Sequence, residues 1–158
     1  IVASYGITCA LAVLYGFLAR KDERGVFTAS LAVFAGWVMF SLSWSEYSIS
    51  ALTPLSYVDV WAVTDLAIAS IILIAAGPKW WAMALAGIFW AQIAMHVAHQ
   101  YGGLEFAPYS VTLDTLFLGQ LAILFTVGGG KVGDILLSRV NHVLDALRPP
   151  SAATQQEK

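Results

Sequence analysis

Three ionisable side chains stand deep inside separate apolar stretches of this 158-residue chain: Asp65, His96 and Asp114. Gln92 and His99 share the stretch of His96, one helical turn to either side of it. An acidic or basic group at the centre of a membrane helix costs about 2.5–3.5 kcal/mol to insert, so each one needs a partner or a role. Two carboxylates flanking an imidazole can hand on a proton, because histidine changes charge nearest neutral pH. The same three residues, His96 with Asp65 and Asp114, also match the ligand types of a divalent-metal site. His96 and His99 project from one face of a helix, so they cannot clasp a haem from opposite sides. The reading without chemistry is that the cluster is glue, with neutral Asp and His hydrogen-bonded across helices for about 0.6 kcal/mol per bond. A further reading has these groups facing a partner chain.

Other motifs that suggest chemistry fail on inspection. Gly128-Gly129-Gly130-Lys131 ends like a phosphate-binding loop, but Phe125 stands where that loop needs glycine and Val132 where it needs Ser or Thr. The chain has no Gly-x-Ser-x-Gly elbow, no His-Glu-x-x-His and only one cysteine, Cys9. The familiar hydrolase, zinc and disulfide signatures are therefore absent, and the motifs leave the cofactor open.

The elements that position the cluster follow from composition. Hydrophobic residues make up 59% of the chain and charged ones 11%, with a mean hydropathy of +0.74. A soluble domain carries about 45–50% apolar and 25% charged residues. The excess apolar surface points to a bilayer, and a net charge of −2 gives no footprint for nucleic acid. A spanning helix needs about 20 apolar residues, which predicts five spans at 2–19, 25–44, 58–76, 80–100 and 109–127. The expected breaks are Arg20-Lys21-Asp22-Glu23-Arg24, the Ser45–Tyr57 loop with Pro54, Gly77-Pro78-Lys79, the Gly102–Pro108 loop and Gly128-Gly129-Gly130. Basic residues follow the first stretch and do not precede it, the order of a true span and not of a signal peptide.

All eight Lys and Arg fall on one side of this arrangement: Arg20, Lys21, Arg24, Lys79, Lys131, Arg139, Arg148 and Lys158. Basic residues gather in cytoplasmic loops, so the N-terminus is expected outside and the C-terminus in the cytoplasm, across a bacterial-type cytoplasmic membrane. Trp80 and Trp81 would then mark the inner interface and Trp44 the outer one. On this topology Asp65 lies about 10 Å, and His96 and Asp114 about 7 Å, in from the outer ends of their helices. Gln92, His96 and His99 form one polar stripe, while Gly87, Ala91, Ala94 and Ala98 form a separate small-residue stripe suited to close helix approach. The fourth span is thus expected at the centre of the bundle.

Beyond the glycines, residues 131–148 read as an amphipathic helix about 27 Å long, too short and too polar for a sixth span. Ile135, Val140, Val143 and Leu147 would turn toward the inner membrane surface or a partner. Residues 149–158 form a polar tail. The expected architecture is an all-α integral membrane protein, a five-span bundle over 1–130 with a C-terminal interfacial helix. The leading expectation for function is an accessory or scaffold subunit of a membrane complex, self-associated or bound to other membrane subunits. The alternatives are a small transporter, channel or proton- or metal-linked redox protein using Asp65, His96 and Asp114, and, by topology alone, a holin-like permeabilising protein.

Overall fold

A computed structural model describes the backbone of residues 2–19, 24–44 and 57–147, and the side chains of 5–19, 25–42, 58–130 and 132–142. Five helices account for the described elements: α1 (Val2–Ala19), α2 (Arg24–Trp44), α3 (Tyr57–Ala76), α4 (Trp80–Tyr101) and α5 (Phe106–Leu147). Four of them, α2 to α5, are long and apolar enough to cross a membrane, and the described part of α1, Tyr5–Ala19, is a shorter apolar helix. The first four boundaries fall within about two residues of the expected spans, because helix-length apolar runs end where Pro, Gly and charge begin.

Each helix packs on its neighbours in the chain, and α5 closes the ring against α1 while also touching α2. Tyr5 meets Phe117 edge to face and Tyr15 meets Phe125, so α1 and α5 run parallel. Alanine dominates the contact faces: Ala12, Ala29, Ala32, Ala69, Ala76, Ala82 and Ala86 are buried. Small side chains let backbones approach, which is how helices gain contact where lipid is as apolar as leucine. Between α3 and α4 the reversal is made by Gly77 at φ +69°, whose amide closes on the Leu73 carbonyl at 2.9 Å. An L-residue with a side chain is strained in that conformation.

Three expectations need correction. First, α4 is one member of the ring and not its centre; it packs on α3 and α5 through Ala82, Leu85, Ala86 and Phe89. Its stripe of Gly87, Ala91 and Ala94 faces outward. Second, Trp81 is 3% exposed whereas Trp80 is 68% exposed. Adjacent helix positions differ by about 100°, so only one of the two can face lipid, and Trp81 belongs to the core.

Third, Gly128-Gly129-Gly130 does not end α5, which continues unbroken for 42 residues. Each glycine costs a helix about 1 kcal/mol relative to alanine, while an interruption would leave several backbone groups without partners. Gly128 also packs on Tyr15, whose Cβ would lie 3.3 Å from an added Cβ. The segment expected as a separate interfacial helix is therefore the end of α5. At 1.5 Å per residue α5 is about 63 Å long, about twice the hydrocarbon thickness. Its C-terminal part overruns α1, and Val140 there is 53% exposed while Ile135 is half-buried. The side chains of Trp44, Val143 and Leu147, the loop over 45–56 and the tail lie outside the described residues.

An added Cβ at Gly129 or Gly130 would meet nothing within 4 Å. Gly129→Ala and Gly130→Ala are each expected to stabilise the protein by about 0.5–1 kcal/mol, read as a raised midpoint of thermal unfolding in detergent. A hinge at this point would give the opposite sign.

Candidate functional site

The polar residues that sequence placed at one depth line a single cavity of about 470 Å³ between the C-terminal half of α2, the N-terminal half of α3, the C-terminal half of α4 and the N-terminal half of α5. Asp65, Gln92, His96 and Asp114 all contribute to its wall. The i, i+4 spacing explains the α4 contribution: Gln92 and His96 are a turn apart on its inward face, and both are buried.

His96 is held from two sides. Its Nε2 lies 3.1 Å from Oδ2 of Asp65, and its Nδ1 lies 2.7 Å from the Tyr109 hydroxyl. Tyr109 is 2% exposed and Asp65 keeps 15% of its side chain open. A neutral imidazole donates from one nitrogen and accepts at the other. With Asp65 ionised, Nε2–H donates to the carboxylate and Nδ1 accepts from the tyrosine hydroxyl. With Asp65 protonated, the carboxyl donates to Nε2 and Nδ1–H donates to the tyrosine oxygen. The two arrangements use the same heavy-atom positions and differ by one proton carried on the carboxyl side. This is a hydrogen-bonded chain along the cavity wall.

The α4–α5 connection positions the tyrosine. Gly103 at φ +73° turns the chain, and the Leu104 amide returns to the Ala98 carbonyl at 3.2 Å. His99 Nδ1–H donates to the Leu104 carbonyl at 2.7 Å, and the His99 ring stacks on Tyr109 at 4.2 Å between centroids and 13° between planes. His99 thus braces Tyr109 and does not join the Asp65–His96 contact. Pro108 sits in the first turn of α5, where its missing N–H removes no helical hydrogen bond; the helix consequently begins three residues ahead of the expected start and carries Tyr109 on its first turn.

Gln92 pairs elsewhere, accepting a 2.6 Å hydrogen bond at Oε1 from Nε2 of Gln120, both residues being buried. Asp59, in the first turn of α3, accepts from the Tyr101 hydroxyl at 3.0 Å and ties α3 to the end of α4. Asp114 also lines the cavity; it is exposed and makes no hydrogen bond or ion pair among the described residues. The expected metal set of His96, Asp65 and Asp114 is accordingly not assembled: among the described residues no three His, Cys, Asp or Glu groups are placed to hold an ion. Matched depth does not fix azimuth: Asp114 lines the cavity from α5 without joining the Asp65–His96 contact.

Sequence reasoning missed two members of the network, Tyr109 and Gln120. Gln120 carried a usable signal, a lone amide in the middle of an apolar span. Tyr109 carried none, since a tyrosine near a span end is ordinary as an interfacial residue.

Fold and site together define a small helical bundle, four of its helices long and apolar enough to cross a membrane, whose cavity is walled in part by an Asp–His–Tyr hydrogen-bonded chain. Compared with protein-family models, with curated proteins and with solved structures, the chain matches none.

Proposed function

We propose that this chain is a small proton-linked membrane transporter, with the cavity as its binding chamber and Asp65–His96–Tyr109 as the group that takes up and releases the proton. The observation that carries this reading is the geometry of His96, bonded to Asp65 at 3.1 Å and to Tyr109 at 2.7 Å on the wall of a 470 Å³ cavity. Packing glue needs neither a cavity nor an ionisable pair, and amide pairs such as Gln92–Gln120 serve that role without ionisation cost. A cluster built to face a partner chain would lie on an outer face, whereas these groups find partners inside their own chain.

The proposal takes all five helices as spans in a bacterial-type cytoplasmic membrane, N-terminus outside, on the one-sided placement of Lys and Arg. The cavity then opens in the outer half. Asp65→Asn keeps the hydrogen-bonding shape and removes the proton. In proteoliposomes carrying an internal pH dye, the wild-type protein is expected to dissipate an imposed pH gradient faster than empty vesicles, and Asp65→Asn is expected to match empty vesicles while its helical circular dichroism is unchanged. Equal rates for the variant and the wild type would overturn the reading.

A second reading, as a subunit of a larger membrane complex, is favoured by one observation: beyond the end of α1, α5 exposes Leu136 and Leu137, at 58% and 63%. Co-purification of further membrane subunits from native membrane would support it, and a monodisperse single-chain particle would count against it.

A further inference from the structure

Resting on the reading of the cavity as a binding chamber, we infer that its ligand is a lipophilic organic cation. Two carboxylates, Asp65 and Asp114, line the cavity, and among the described residues no Lys or Arg does. Asp65 is engaged by His96, whereas Asp114 makes no hydrogen bond or ion pair among the described residues. A carboxylate without a partner at membrane depth is costly, and a bound cation offsets that cost directly. Aromatic rings make up a large part of the remaining wall, Trp37, Phe40, Trp61 and Phe117 among them, beside aliphatic and small polar side chains. Aromatic faces attract cations by about 0.5–2 kcal/mol each, more when water is excluded. Phe117 lies one turn from Asp114 on α5, so a ring and a carboxylate are neighbours on one helix.

Charge and shape therefore choose among ligand classes. An anion of the same size meets two carboxylates and, among the described residues, no Lys or Arg, the one imidazole there being already held by Asp65 and Tyr109. A neutral apolar molecule fills the space but leaves Asp114 desolvated. A volume of about 470 Å³ falls within the usual range for drug-sized ligands, about 300–1,000 Å³. A delocalised cation with aromatic or aliphatic arms satisfies all three features at once.

Tetraphenylphosphonium and tetraphenylborate test this, being nearly identical in shape and opposite in charge. With the full chain in detergent or nanodiscs, the phosphonium is expected to quench tryptophan fluorescence saturably and the borate is not. Asp114→Asn is expected to weaken phosphonium binding at least tenfold with helicity unchanged, and Trp37→Leu to weaken it less. Binding of the borate equal to that of the phosphonium, or an unchanged affinity in Asp114→Asn, would overturn the inference. Proton flux in vesicles without phosphonium binding would overturn the ligand class and leave the proton-linked reading standing. Phosphonium binding without proton flux would do the reverse.

Discussion

His96→Leu is expected to cost about 3 kcal/mol of stability, at the lower end of the range of about 3–5 kcal/mol for removing one partner of a buried charged pair. The imidazole is the common partner of two groups, so its loss leaves both the Asp65 carboxyl and the Tyr109 hydroxyl without their hydrogen bonds at that ring. Leucine fills much of the volume but offers neither donor nor acceptor. The 15% of the Asp65 side chain that remains open to the cavity lets water recover part of the loss, hence the lower figure. Tyr109→Phe removes a single hydroxyl and is expected to cost about 1 kcal/mol. Equilibrium unfolding in mixed detergent measures both. A cost for His96→Leu no greater than that for Tyr109→Phe would mean that Asp65 draws nothing from the ring, and the hydrogen-bonded chain would lose its physical basis.

Gly25→Leu is expected to be at least as damaging, for a steric reason. A Cβ built at Gly25 would lie 2.6 Å from the Cβ of Ala76 and 2.7 Å from its Cα. The obstructing atoms belong to the backbone of α3 and to the first atom of a short side chain, so no rotamer change can make room. Even Gly25→Ala must push α2 and α3 apart, and overpacking of this kind costs about 1–3 kcal/mol; leucine adds three more carbons to the same contact. Because α3 carries Asp65, the displacement also disturbs the cavity, and Gly25→Leu is expected to lose helical packing and ligand binding together. Gly87→Leu is the matched control, since a Cβ there meets nothing within 4 Å. It is expected to change the unfolding midpoint little. Equal behaviour of the two variants would mean that α2 and α3 are not in backbone contact.

Much of the architecture is local information and was legible in the chain. Spans end where Pro, Gly or charge follows about 20 apolar residues, which placed the ends of α1 to α4 closely. The Asp65 and His96 positions stood out because ionisable groups are costly in such segments, and their depths agreed because depth is residue count multiplied by the helical rise. The fate of Gly128-Gly129-Gly130 was not legible in the same way. Glycine weakens a helix by an amount comparable to what neighbouring packing and backbone hydrogen bonding supply, so the outcome depends on what surrounds it, here Tyr15 on one side and a long apolar segment on the other.

The sequence by itself determined that the chain is helical and apolar, where most of its helices begin and end, and which groups are too polar to be left alone. Only the tertiary structure decided which of those groups meet. It paired His96 with Asp65 and Tyr109, paired Gln92 with Gln120, left Asp114 on the cavity wall, and buried Trp81 while exposing Trp80. The physical reason is that hydropathy sets how deep a residue sits along a helix, whereas its partner depends on the rotation of that helix about its own axis and on which neighbour closes the ring. Those are fixed by the summed contacts of many small side chains along several helices, and no single stretch of sequence contains them.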